Sequence, residues 1–239
     1  MSLDTFNLLK PASSVLFVGP SGCGKTMLLK KLLDWKMIET RKILLFYQNW
    51  QPLYDGFFPN IEFYKYWIEK NPEDSKNYLE DLIVRKNTTP LITGSLTIIF
   101  DDALPFCKLP VMEEMFTRMC HHYNINVLMT VQNLFEPSLR VITRNCHYMF
   151  LFKNPRDAAQ IRHLAYQIYP DKSHARVWVR SLKEITSQPY RAALLDFKPN
   201  TPDYMRLRSD FFSTDGVTVH CMKDDNIPES DDYDEVYKR

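Results

Sequence analysis

The sequence predicts an α/β fold with a mostly parallel sheet and helices on both faces. Three observations carry that prediction. Short apolar runs alternate with helical patterns along the first 200 residues, the order of repeated β-α units. A glycine-rich stretch, Gly19-Pro20-Ser21-Gly22-Cys23-Gly24-Lys25-Thr26, joins the first apolar run to the first helix. The run Leu96-Thr97-Ile98-Ile99-Phe100 has the continuous apolar character of a strand buried on both faces, as parallel sheets require.

The elements follow in order. Ser14–Val18 is the first strand, and the helix Thr26–Trp35 opens directly from the glycine loop. Lys42–Tyr47 is a second buried strand. Asn60–Trp67 alternates through Ile61, Phe63 and Tyr66, which suits an edge strand or part of an insertion. Asn71-Pro72 signals the start of a helix over Glu73–Val84. Leu96–Phe100 is a strand ended by Asp101-Asp102, Met112–Tyr123 a helix, and Asn126–Val131 a strand ended by Gln132. A short helix, Leu139–Asn145, precedes the strand His147–Phe152. Asn154 or Asp157 caps a helix running to about Tyr169. A second helix spans Lys172–Ile185, and Arg191–Phe197 closes the sheet. Residues 1–200 read as one P-loop domain, 201–222 as a C-terminal extension and 223–239 as a tail.

Composition is that of an ordinary globular chain: 239 residues, 45% hydrophobic and 25% charged. No apolar run approaches the ~20 residues that span a bilayer, and the start Met1-Ser2-Leu3-Asp4 lacks the layout of a secretory signal. The five cysteines are scattered, without a C-x-x-C pair, which points to free thiols in a reducing, intracellular compartment. The net charge of +1 conceals an asymmetry, because the tail carries seven acids against Lys223, Lys238 and Arg239. A mildly basic body with an acidic tail fits a nucleic-acid binder whose tail competes for its basic surface; a merely solvated, disordered end has the same composition.

The glycine stretch matches G-x-x-x-x-G-K-[ST], and its chemistry follows from the residue types. Glycines let backbone N–H groups turn inward around phosphate oxygens, and the helix that follows points its positive end at the same anion. Lys25 reaches the β- and γ-phosphates, and the Thr26 hydroxyl can sit on Mg²⁺. Hydrolysis needs a carboxylate for the metal, a group to orient water and a cation for the developing charge. Asp101, past an all-apolar strand, is placed to hold Mg²⁺ with Thr26. Asp102 could polarise the attacking water as general base, and Gln132 ends the adjacent strand at the same carboxyl edge, where α/β sheets bind ligands. Each also has a plain reading, as a loop cap or a surface amide. Arg118, Arg140, Arg144 and Arg156 are candidates for a cation supplied by a neighbouring subunit. Cys120-His121-His122 lacks a second ligand pair for zinc. The aromatics Phe57, Phe58, Phe63, Tyr64, Tyr66 and Trp67 suit a core, or stacking on bases.

These segments occur in a telling order: Gly19–Thr26, Ile98–Asp102, His121–Ile125 leading to Val131–Phe135, Arg144–Tyr148 and Phe152–Asp157. The set resembles the genome-packaging ATPases of the FtsK–HerA superfamily. It is most similar to those of Polinton/Maverick-type elements, virophages and related double-stranded DNA viruses, with poxvirus packaging ATPases as relatives. The resemblance covers roughly residues 12–200. It implies a RecA-like core of the ASCE class, a homo-oligomeric ring of five or six subunits, and ATP-driven, DNA-stimulated packaging of duplex DNA into a capsid at its portal vertex. It also implies action inside the host cell, in a cytoplasmic viral factory or the nucleus, or in association with virions. By the same resemblance Lys25 and Thr26 hold phosphate and Mg²⁺, Asp101 the metal, Asp102 the base position and Gln132 the sensor position. Many relatives carry Glu where this chain has Asp102. Cellular members often carry Gly-Arg where it has Cys120-His121, so the trans-acting arginine does not transfer by position, and Arg118 and Arg144 stand as candidates. Other readings of the loop are a guanylate-type kinase, an ABC-type ATPase (for which no Leu-Ser-Gly-Gly-Gln-like signature is found) and a non-catalytic scaffold that binds ATP.

Overall fold

A computed structural model describes residues 9–57, 59–65, 72–104, 107–214 and 216–221. The acidic tail at 223–239 and the aromatics Phe58, Tyr66 and Trp67 lie outside the described residues.

The first six strands are β1 (Ser14–Val18), β2 (Lys42–Tyr47), β3 (Ile61–Lys65), β4 (Leu96–Asp101), β5 (Asn126–Val131) and β6 (Tyr148–Phe152). All run parallel. They are followed by β7 (Ala192–Asp196), β8 (Leu207–Ser209) and β9 (Thr218–Val219), which pair antiparallel. The order across the sheet is β3-β2-β4-β5-β1-β6-β7-β8-β9. β3 is thus the parallel edge strand that its alternation suggests, while β8 and β9 from the C-terminal extension continue the same sheet. β1 lies at the centre, its Val18 paired with Val131 of β5 on one side and Leu151 of β6 on the other.

Burial on both faces explains the apolar runs. Leu16 and Val18 of β1, Ile98 and Phe100 of β4, and Met149 and Leu151 of β6 face one core; Val15, Phe17, Ile99, Tyr148 and Phe150 face the other. Side chains alternate across a strand, so each strand feeds both layers. The first core is covered by α2 (Pro72–Lys86), α3 (Pro110–Glu114), α4 (Cys120–His122), α5 (Arg140–Asn145), α6 (Ala158–Ile168) and α7 (Lys172–Ile185). The second core is covered by α1 (Lys25–Asp34), together with Tyr54, Phe57 and Phe211 from loops. Helices therefore stand on both faces, unevenly.

Local differences from the sequence reading have physical causes. The helix expected over Met112–Tyr123 begins at Pro110 and passes through a π turn, Met115–Met119, before α4. The wider turn lets Met115, Phe116, Met119 and Cys120 all bury in one core. Asn154 caps a 3₁₀ turn, Pro155–Asp157, by accepting the Arg156 N–H, and that turn leads into α6. Asp157 holds the N-cap position of α6, but its carboxylate accepts the Asn154 amide at 2.7 Å rather than a helix N–H. Phe57 is buried, and Phe63 and Tyr64 pack against the cores, the structural side of the two aromatic readings. Among the described residues no helix is long and apolar enough to cross a membrane.

Candidate active site at the carboxyl edge of the sheet

The phosphate loop leaves β1 at the centre of the sheet and turns straight into α1. Two of its glycines are dictated by space and backbone. A Cβ on Gly19 would lie 2.7 Å from both Cys23 Sγ and Phe152 Cβ, so the chain there passes too close to β6 for any side chain. Gly24 is the N-cap of α1 with φ of +101°, a conformation side chains disfavour. The N-terminus of α1 carries no acidic residue in its first turn, so its unpaired N–H groups and dipole remain suited to an anion. Lys25 is 9% exposed, and its ammonium donates to the Gly19 carbonyl at 2.7 Å and the Pro20 carbonyl at 3.1 Å. These loop carbonyls hold the charge beside the cradle. Burial of Cys23 in the loop pushes its thiol above the ordinary value, which disfavours the reactive thiolate there.

The two acids end β4 and part company at once. Asp101 is 2% exposed and its carboxylate accepts hydrogen bonds from the Thr26 hydroxyl (3.3 and 3.1 Å to the two oxygens), the Thr130 hydroxyl (2.6 Å), the Tyr54 hydroxyl (2.6 Å) and the Gln51 amide (3.3 Å). A carboxylate withdrawn from water needs such donors. Asp102 turns the chain the other way through a left-handed φ of +55°, strained for a residue with a side chain. Its N–H donates to Thr130 Oγ1 at 2.8 Å, and its carboxylate accepts the Gln132 amide at 3.0 Å. Thr26, Asp101, Asp102 and Gln132 therefore form one hydrogen-bonded cluster beside the phosphate loop, because β4 and β5 are neighbours and β5 adjoins β1. Thr26 and Asp101 offer an alcohol and a carboxylate oxygen, the hard donors that Mg²⁺ prefers.

Three members of this cluster were not singled out from sequence. Thr130 is a buried strand residue, and Gln51 and Tyr54 stand on a 3₁₀ turn after β2. Burial first, then the charge of Asp101, raises the Tyr54 phenol far above its ordinary value, so Tyr54 is a permanent donor to Asp101. Its ring is fixed by Tyr47, Trp50, Phe57 and Phe63. No local pattern marks these residues; only the register of β2, β4 and β5 brings them together.

The candidate arginines lie elsewhere. Arg118 is exposed in the π turn and ion-paired to Glu114 at 2.7 Å and Glu80 at 3.4 Å. Arg140 and Arg144 are on α5; Arg144, at its C-terminal end, shortly precedes β6 and so lies at the edge of the sheet opposite the phosphate loop. Arg156 stands on the turn after β6, at the phosphate-loop edge.

The family model described as Poxvirus A32 protein matches residues 2–172, well over half of the chain. The chain belongs to that family. The A32-family match takes in the phosphate loop, both acids, Gln132 and the Asn154–Asp157 turn, and so bears out the kinship with poxvirus proteins that the motifs suggest. No curated protein sequence matches the chain. Among solved structures, this A32-family chain is similar to B204, the DNA-packaging ATPase from Sulfolobus Turreted Icosahedral Virus. The two are 15% identical, with 89% of this chain and 98% of that one covered and a TM-score of 0.53. It is also similar to the genome packaging NTPase B204 from Sulfolobus turreted icosahedral virus 2 in complex with ATP-gammaS, at 16% identity, the same coverage and a TM-score of 0.55. At these identities the likeness is one of fold, and it bears out a RecA-like P-loop architecture for the A32-family chain.

Proposed function

We propose that this chain is the ATP-hydrolysing motor that packages double-stranded viral DNA into a capsid. The observation that carries the reading is the convergence of Thr26, Asp101, Asp102 and Gln132 on the phosphate loop. A loop that only binds nucleotide has no need of a strained carboxylate held against an amide at the next strand end. Membership of the poxvirus A32 family, and a fold shared with a viral DNA-packaging ATPase and a viral genome packaging NTPase, support viral DNA as what the motor moves.

In this reading the backbone of Gly19–Thr26 and the Lys25 ammonium bind the phosphates of ATP. Thr26 and Asp101 are the residues that would hold Mg²⁺, whose charge, when bound, neutralises the β- and γ-phosphate oxygens. Gln132 and Asp102 position a water in line with the γ-phosphorus. A bond forms from that water oxygen to phosphorus while the bond to the β-phosphate oxygen breaks, and ADP leaves with the electron pair. Asp102 takes the water's proton and returns it to phosphate. Subunits form a ring around the duplex, each site open to an arginine from its neighbour, at the portal vertex and inside the host cell.

Purified protein should hydrolyse ATP faster with duplex DNA than without; no hydrolysis under either condition overturns the proposal. Lys25→Ala should abolish nucleotide binding and turnover together. Asp102→Asn should keep ATP binding while lowering kcat by about 10²–10⁴-fold, the usual worth of a positioned base. Phosphate transfer to GMP in place of hydrolysis would favour a nucleotide kinase.

A further inference from the structure

We infer that Tyr190 is the stacking platform of a nucleobase subsite, formed between the first turn of α1 and the antiparallel end of the sheet. The inference rests on the reading that Gly19–Thr26 holds a nucleoside triphosphate. Given that, the sheet order sets the ligand's direction. Thr26's partner Asp101, and Asp102 and Gln132, belong to β4 and β5, on one side of β1, so the γ-phosphate end points there. The nucleoside end must leave α1 on the other side, toward β6, β7 and β8.

A cavity of about 440 Å³ occupies that side, lined by Gly24 at the N-cap of α1, by Met27 in its first turn and Lys31 in its last, by Tyr190 and Arg191 before β7, and by Phe212 after β8. It therefore begins at the last glycine of the phosphate loop. Tyr190 lies against that glycine, since a Cβ on Gly24 would be 3.2 Å from the Tyr190 ring. Tyr190 carries two features that folding alone disfavours. Its backbone is left-handed, with φ of +63°, and its side chain is 73% exposed. Residues held at such angles cluster at ligand clamps. Met27, 48% exposed, supplies a polarisable apolar surface at the same mouth, and Arg191 is fixed at its rim by an ion pair with Asp210 at 3.3 Å. An exposed aromatic ring beside a phosphate cradle, on the side away from the acids, suits the face of a planar base.

The test is calorimetric titration of the full chain, with Mg²⁺ present, against ATP and against inorganic tripolyphosphate, which has the charge but no base. Tyr190→Gly removes the ring without adding backbone strain, because glycine accepts positive φ. It should weaken ATP binding roughly tenfold to a hundredfold, the range of a lost base–aromatic stack. Tripolyphosphate binding should be unchanged, which also reports an intact phosphate loop, and Tyr190→Phe should bind ATP like the wild type. Unchanged ATP affinity in Tyr190→Gly, or an equal loss for both ligands, overturns the subsite. Failure of the wild type to bind either ligand overturns the triphosphate reading itself, and the subsite with it.

Discussion

Thr130 shows how much of the site depends on one hydroxyl. It donates to Asp101 at 2.6 Å and accepts from the Asp102 N–H at 2.8 Å, so it links the buried acid to the backbone of the strained one. Thr130→Val keeps the shape and leaves both groups one partner short. Leaving such partners unsatisfied costs about 1–3 kcal/mol, seen as a fall in Tm of roughly 3–10 °C for a chain of this size. Displacement of Asp102 should lower kcat by about tenfold to a hundredfold, and Thr130→Ser should restore both quantities. Thermal unfolding and steady-state ATPase assays measure them; an unchanged kcat in a destabilised Thr130→Val would show that the hydroxyl serves the fold alone. The phosphate loop, both acids and Gln132 could be read from sequence because glycine spacing and polar residues at strand ends depart from the apolar pattern. Thr130 could not, because a threonine inside a strand is what strand propensity leads one to expect. Tyr54 and Gln51 were hidden for another reason: they reach Asp101 from a turn 47 and 50 residues away in sequence.

At the level of elements, continuous apolar runs made five of the six parallel strands legible, since burial on both faces leaves no other residue pattern; the half-buried edge strand β3 was legible by its alternation instead. The direction of β7 was not legible, because an apolar run looks the same whichever way it pairs; it is the α6–α7 pair between β6 and β7 that returns the chain antiparallel. Where β1 and β6 begin, a histidine holds them together. The Ser14 N–H donates to His147 Nδ1 at 2.9 Å, and the His147 N–H donates to the Ser14 carbonyl at 2.9 Å. Nδ1 must therefore be unprotonated, with the ring proton on Nε2. Burial, then the positive charges of Lys198 and His121, lowers the His147 pKa to about 4. An unfolded chain takes up this proton near 6.5, so between about pH 6.5 and 4 the unfolded state binds more protons than the folded one. Stability contributed by neutral His147 is thus lost as pH falls through that window. His147→Asn offers an amide oxygen in place of Nδ1 and does not titrate. Its Tm should decline less steeply than the wild type's between pH 6.5 and 4, and parallel Tm–pH curves would contradict this account of the β1–β6 junction.

For the whole molecule, the decisive fact is that Arg144 and the phosphate loop lie at opposite edges of the sheet. β6 runs parallel to β1, and Arg144 precedes it while the phosphate loop follows β1. A strand of five residues separates the two edges by about 17 Å at the usual rise, beyond the reach of a side chain on a fixed helix. If Arg144 supplies the cation for hydrolysis, it does so in the site of a neighbouring subunit, and the two halves of one active centre come from two chains. Complementation then becomes the informative experiment. Arg144→Ala subunits keep a complete phosphate loop and lack the arginine; Lys25→Ala subunits keep the arginine and lack the loop lysine. Each alone should be inactive. Mixed in equal amounts, they should recover ATP hydrolysis, because some interfaces pair an intact loop with an intact arginine. The same mixture with Arg118→Ala in place of Arg144→Ala tests the second candidate, whose ion pairs with Glu114 and Glu80 would have to break before it could reach a neighbour. Recovery with only one of the two arginine variants identifies the residue that crosses the interface. Full activity of Arg144→Ala on its own would remove Arg144 from the catalytic centre, and an arginine variant that is inactive alone and regains nothing in the mixture would be damaged by a route other than the neighbour's site.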